Sequence, residues 1–223
     1  VLTRVLEPEA MDTAEEAAEY DAMDHAGVNA RFAADFLAVH GPARGGEWLD
    51  VGTGTAQIPI ELARRDPGCR IVAVDLAEAM LTLARRNVEA AGLGAQIRCE
   101  QVDAKGLPYD DRSFEAVVSN SIVHHIPEPS ASLAEMVRLV APGGTLFVRD
   151  LARPDDEETL AGLVELYAGG ESPRARGLFA DSLRAALTLD ELRAMIAELG
   201  LPTGGAATTT DRHWTWAWHR PLG

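Results

Sequence analysis

Two carboxylates and two glycines stand at a spacing that suits a ligand built on a nucleoside. Residues 50–57 read DVGTGTAQ directly after the apolar pair Trp48-Leu49, and Asp75 closes a second apolar run, residues 71–74, about twenty residues further on. In a parallel α/β protein, a glycine turn after one strand and a carboxylate at the end of the next hold a ribose and whatever it carries. Gly52 and Gly54 remove Cβ where the chain turns sharply and where a ligand must approach the backbone. A second feature is the pair His124-His125 within SNSIVHHI. Imidazole titrates near neutral pH, so either ring is suited to taking or orienting an acceptor proton. Structural hydrogen bonding at a helix start is the alternative. A metal there has no obvious carboxylate ligand other than Asp150, so no metal is expected.

The elements that position these residues follow from periodicity. Strands are expected at residues 47–51, 70–74, 95–101, 114–119 and 144–149, with helices at 58–65, 77–91 and 129–140 between them. Such alternation implies a parallel sheet with helices on both faces, which binds ligands beyond the carboxyl ends of its strands. Asp50 to Gly54, Asp75, Asp103, Asn120 to His125 and Asp150 all fall at or just after such ends, so one rim is expected to gather them. Ahead of the sheet, Thr13 and Glu16 form a capping box for a short helix, and a second helix spans residues 28–39. Behind it, residues 151–187 form an insertion with a helix at 155–168 and a flexible loop in GGESPRARG. Thr188 and Glu191 cap a helix running to residue 199. The tail AATTT-DR-HWTWAWH alternates across a turn like an antiparallel hairpin, with Trp214, Trp216 and Trp218 on its core face.

Composition narrows the function. The formal charge of −15, with Lys105 the only lysine, disfavours nucleic acids and anionic membrane surfaces as partners. No apolar stretch approaches the roughly 20 residues of a membrane span, and the first residues lack the basic flank and apolar run of a secretory signal, so a cytoplasmic location is expected. Cys69 and Cys99 have no metal-ligand spacing and read as buried thiols.

The third glycine of a dinucleotide fingerprint is missing, Gln57 standing in its place. Asp50, Gly52, Gly54, Asp75, VDA after the third strand, SNSIVHHI after the fourth, PGG before the fifth and the terminal hairpin together resemble the class I S-adenosylmethionine-dependent methyltransferases. The chain is most similar to their ubiquinone- and menaquinone-methyltransferase-like small-molecule branch. The resemblance implies an α/β, doubly wound, mostly parallel seven-stranded sheet ending in an antiparallel hairpin. It also implies an amino-terminal helical arm or lid at 1–40 and a cofactor-binding domain at 41–223, with a substrate-lid insertion at about 151–187.

The same resemblance assigns roles. Asp50 would face the cofactor's ammonium group, and the turn of Gly52, Thr53 and Gly54, with Gln57 at the helix start, would carry its methionyl part. Asp75 would accept both ribose hydroxyls, Leu76 and Met80 would flank the adenine, and Asp103 with the Ala104 amide would meet its edge. Asn120 would line the site near the reacting methyl. His124, and after it His125, would be the catalytic candidates. Tyr20, His25, Arg149 and Asp150 would serve the lid or the acceptor, and the arginines Arg153, Arg174 and Arg176 could read an anionic one. Each has a plainer use: aspartates cap turns, Met80 can be helix core, and loop arginines are usually solvated. The branch often has Glu-His-Val where this chain has His-His-Ile. The absence of an Asp-Pro-Pro-Tyr-type motif at residues 119–122 favours oxygen, sulfur or carbon acceptors over exocyclic amines. The rivals are a NAD-dependent oxidoreductase and a non-catalytic cofactor-binding scaffold; the acceptor and the oligomeric state are open.

Overall fold

The computed structural model describes residues 1–7, 12–23 and 25–222. Its strands β1 (Glu47–Val51), β2 (Arg70–Asp75), β3 (Ile97–Gln101), β4 (Phe114–Asn120), β5 (Val140–Leu151), β6 (Ala206–Thr210) and β7 (His213–His219) form one seven-stranded sheet in the order β3-β2-β1-β4-β5-β7-β6. β1 pairs in parallel with β2 and β4, β2 pairs in parallel with β3, and β6 and β7 are antiparallel. The expected sheet and closing hairpin are therefore present. β1, β2 and β4 are near-continuous buried runs, as strands covered on both faces must be.

The helices are α1 (Ala14–Asp21), α2 (Ala26–His40), α3 (Gln57–Arg65), α4 (Glu78–Ala90), α5 (Ser130–Leu139), α6 (Glu157–Ala168), α7 (Pro173–Ala185) and α8 (Leu189–Glu198). Both expected capping boxes are formed, Thr13 with Glu16 and Thr188 with Glu191. One expectation fails. Where a flexible loop was expected in residues 169–177, α7 begins at Pro173, because the Ser172 hydroxyl accepts from the Ala175 amide and Pro173 occupies the first turn. Proline needs no amide partner there, so it starts a helix instead of breaking one. β5 is also longer than expected, since PGG lies inside it, with Gly143 at φ +73°.

Two compact units divide the chain: Val1–Glu9 with Ser121–Pro129 and Arg149–Trp216, and Ala10–Asn120 with Ser130–Val148 and Ala217–Gly223. This cuts the expected 1–40 arm after residue 9, and α1 and α2 go with the larger unit. In that unit the α2 stripe Phe32, Ala33, Phe36 and His40 is buried, and Phe36 meets Trp48 edge-on at 5.2 Å and Phe147 at 5.8 Å. His40 ends the stripe with Nδ1 at 2.8 Å from Thr145 Oγ1 and Nε2 at 3.1 Å from Glu115 Oε1. Glu115 in turn accepts from the Arg44 and Gly46 amides, which fixes the loop entering β1. The smaller unit has its own core of Leu160, Leu163, Val164, Leu183 and Ala186 around the end of β5, with Leu2 packed against it. Trp214 and Trp216 are fully buried and Trp218 nearly so, as the hairpin's alternation implies.

Candidate functional site

In the larger unit, the strand register brings the functional ends together. Val51 is paired with Val74 on one side and Ser119 on the other, so Asp50, Asp75 and Asn120 end neighbouring strands. The chain leaving β1 turns with Gly52 at φ +75°, Gly54 at φ +54° and Ala56 at φ +62°, all left-handed. The Gly52 and Thr53 amides both donate to Val74 O at 2.9 Å. Gly54 N then donates to Asp75 Oδ2 at 2.7 Å, and Ala77 N to Asp75 Oδ1 at 3.0 Å. Asp75 thus clamps the glycine turn to the end of β2. Each carboxylate oxygen keeps a second lone pair for a ligand. Burial pushes the Asp75 carboxyl above its usual value, against the backbone amides that stabilise its charge.

Polar atoms around this turn are buried without use. Asp50 Oδ2, Thr55 Oγ1 and Asn120 Oδ1 have no hydrogen-bond partner among the described residues. Leaving such a group dry and unpaired costs about 1–3 kcal/mol, so three together mark a place shaped for a polar ligand. Asp50 is 2% exposed, and its carboxyl is pushed up to about 7 by burial, with Asp75 adding to the rise and the Thr53 hydroxyl opposing it. A cationic group beside it would restore its charge.

α1 lies against the same turn. A Cβ at Gly54 would stand 3.6 Å from Tyr20 Cε1, and the Tyr20 phenol is pushed up to about 12 by burial, then by the Asp75, Asp50 and Asp21 carboxylates. Asp21 Oδ1 accepts from Asn87 Nδ2 at 2.8 Å and Gln57 Nε2 at 3.2 Å, which ties α1 to α4 and α3. The His25 ring lies 4.9 Å from that of Tyr20. Asp21, Asn87 and Thr55 were not singled out in the sequence, where nothing in their spacing sets them apart.

The adenine-side candidates are mixed. Leu76 is 40% exposed, whereas Met80 is buried in a cluster with Ala17, Ala77 and Tyr20. Asp103 Oδ1 accepts from the Lys105 amide at 2.9 Å, so it shapes the turn containing Ala104 while its side chain remains partly exposed.

In the smaller unit, residues Val123–His125 make one 3-10 turn after Ser121, whose φ is +60°. Asp150 organises it, its Oδ2 accepting from the Val123 amide at 2.5 Å and the His124 amide at 3.2 Å. Its Oδ1 lies 2.5 Å from His124 Nδ1. Burial opposes the charged form of both partners, yet their mutual attraction prevails: the His124 imidazole is raised above its usual value and Asp150 is held below the carboxylate range. Glu7 arrives from the amino-terminal arm, its Oε1 3.5 Å from His124 Nε2 and 3.2 Å from His125 Nδ1. Arg149 is buried and donates to Thr215 Oγ1 at 2.9 Å; Arg153 is buried, donates to Ala186 O at 2.7 Å and pairs with Glu191. Arg176 is paired with Glu165. Arg149 and Arg153 are thus committed within the fold rather than solvated, and Arg176 is held in an ion pair.

The comparisons agree with the cradle of the larger unit. Residues 49–148 match the methyltransferase domain family. A phosphatidylethanolamine N-methyltransferase of Cereibacter sphaeroides is 31% identical over 77% of this chain and 81% of its own. The chain belongs to the class I S-adenosylmethionine-dependent methyltransferases. A demethylmenaquinone methyltransferase of Thermus thermophilus is 38% identical over 48% of this chain and 47% of its own length. The chain spans about half of the length of the demethylmenaquinone methyltransferases it matches. A SAM-dependent methyltransferase from Aquifex aeolicus has the same fold, with a TM-score of 0.69 at 17% identity over 93% of this chain and 98% of that one. In a class I methyltransferase the acidic strand end, the glycine turn and the unpartnered buried oxygens are accounted for together, and the observed donors and acceptors fit the cofactor.

Proposed function

We propose that this protein transfers the methyl group of S-adenosylmethionine to a small-molecule acceptor with an oxygen, sulfur or carbon nucleophile. The observation that carries the reading is the set of buried, unpartnered oxygens on Asp50, Thr55 and Asn120 beside a glycine turn clamped by Asp75. When bound, the cofactor supplies an electrophilic methyl on a sulfonium. The chain supplies alignment and exclusion of water, which govern such an in-line displacement. Asp75 accepts the ribose hydroxyls with its remaining lone pairs, Asp50 faces the ammonium, and Asn120 and the backbone of residues 52–54 hold the methionyl part. Leu76 and Met80 border the adenine, with Asp103 and Ala104 at its edge. Tyr20, tied down through α1, shields the turn from solvent.

For the acceptor, the name of the Thermus relative favours a quinol-like compound, with His124 or His125 taking or orienting its proton. A second reading, an amine-bearing lipid headgroup, is favoured by the greater coverage of the Cereibacter relative. No helix among the described residues is long and apolar enough to cross a membrane, and Cys69 and Cys99 are free thiols, which supports a reducing, cytoplasmic setting. The net charge of −15 supports partners other than nucleic acid.

Calorimetric titration with S-adenosylhomocysteine and NAD tests the cofactor; selective NAD binding overturns the reading. Labelled methyl donor with a panel of quinols, phenols, thiols and ethanolamine lipids tests the chemistry. Intact cofactor affinity with no turnover across that panel would favour a scaffold.

A further inference from the structure

We propose that Glu7, His124 and His125 form a binding site for one divalent transition-metal ion of the zinc class, with Asp150 as the group that orients His124. All four residues lie in the smaller unit, so the site does not depend on the cofactor reading; a bound ion would take over, through its open position, the proton-handling role given above to His124. Their donor atoms, one carboxylate oxygen and two imidazole nitrogens, lie within 4.8 Å of one another. A tetrahedral ion with bonds of about 2.0–2.1 Å sets neighbouring donors about 3.3 Å apart. The distances from Glu7 Oε1 are 3.5 Å to His124 Nε2 and 3.2 Å to His125 Nδ1, which match two edges of such a site.

The surroundings are those of a ligand set held in place. His124 Nδ1 is engaged by Asp150 Oδ1 at 2.5 Å, which leaves Nε2 as the coordinating nitrogen in the carboxylate-histidine-metal arrangement. Glu7 Oε2 accepts from the Ser182 hydroxyl at 3.1 Å, fixing the other end of that carboxylate. The arm that carries Glu7 is anchored without any metal: Arg4 donates to Ala185 O at 2.6 Å, Pro127 O at 2.9 Å and Ile126 O at 3.0 Å. Two imidazoles and one carboxylate suit zinc, cobalt or iron, whereas magnesium and calcium take oxygen ligands. Three protein donors leave a fourth position for water or an anionic oxygen.

The test uses the full chain, stripped with chelator and free of methyl donor, titrated with Co2+ and then Zn2+. The expected result is one equivalent of Co2+ with the visible bands of a four- or five-coordinate site, no thiolate charge-transfer band, and displacement by Zn2+. Glu7→Gln and His125→Asn should each lower the affinity at least tenfold while circular dichroism and S-adenosylhomocysteine binding stay as in the parent. Failure of the parent to bind, a thiolate spectrum, or undiminished affinity in either folded variant overturns the site. In the first case the cluster is an ion pair of protonated imidazole with Glu7. Loss of S-adenosylhomocysteine binding in the parent strikes the cofactor reading and leaves the metal site standing.

Discussion

The glycine turn and the histidine cluster both rest on a buried aspartate at a strand's end, and they use it in opposite ways. Asp150 spends its oxygens on the chain itself: the Val123, His124 and Leu151 amides and the His124 ring. Asp50 has one oxygen without a partner among the described residues and a carboxyl pushed up to about 7. A satisfied buried carboxylate is a structural keystone, and an unsatisfied one anticipates a ligand. Asp75 lies between these extremes, clamping the turn with two amides while keeping lone pairs.

If that contrast is right, the largest effect comes from Asp150→Asn. Removing one charge of a buried, hydrogen-bonded pair leaves His124 facing only the more distant Glu7 carboxylate, which costs about 3–5 kcal/mol. Urea denaturation should show that loss, with S-adenosylhomocysteine affinity of the folded fraction little changed. A loss below 1 kcal/mol would mean that the His124 pair is not the keystone. Asp75→Ala should divide its effect, weakening S-adenosylhomocysteine binding by roughly 1.5–3 kcal/mol and stability by about 1 kcal/mol, on the scale of lost hydrogen bonds to a charged group. Calorimetry beside a denaturation curve separates the two, and unchanged affinity would show that the ribose is misplaced.

The same contrast explains what was legible in the sequence. Long buried strands, capping boxes and the glycine turn announce themselves through local pattern, and the sheet, both boxes and the sharp glycine turn are as expected. Glu7 carries no such signal: it stands in an arm without periodicity and meets His125 across more than a hundred residues of chain. Asp21 and Asn87 are equally silent, because a tertiary hydrogen bond leaves no trace in spacing. α7 was legible but misread, since Ser172-Pro173 is a helix start as much as a loop signal. The acceptor-side arginines look available in sequence and are committed in space, Arg149 to Thr215 and Arg153 to Glu191.

Asp50 gives a sharper form of the comparison through pH. Its folded value is raised from 3.8 to about 7 by burial, so between those values the free protein binds a proton that the unfolded chain has released, and stability falls as pH rises from about 4 and levels off above about 7. An ammonium-bearing ligand selects the ionised carboxylate, so its affinity must run the other way. From pH 6 to pH 7 S-adenosylhomocysteine affinity should rise about fivefold, below the midpoint at which an α-amino group itself titrates. Asp50→Asn should flatten this slope. A flat slope in the parent would place the ammonium elsewhere.

The smallest expected effect concerns the hold on α1. Asp21 accepts from Asn87 and Gln57, two neutral amides reaching a partly buried carboxylate, so Asp21→Ala should cost about 1 kcal/mol of stability. Its informative consequence is kinetic. Tyr20 borders Gly54 only while α1 is held, so loosening the helix exposes the turn to water and lets ligand leave sooner. Stopped-flow displacement of S-adenosylhomocysteine should show a several-fold faster off-rate with a smaller change in on-rate, and Asp21→Asn, which keeps an acceptor oxygen, should restore part of it. Equal acceleration of both rates would instead describe a gate that binding does not close, and Tyr20 would then be a packing residue beside the cradle.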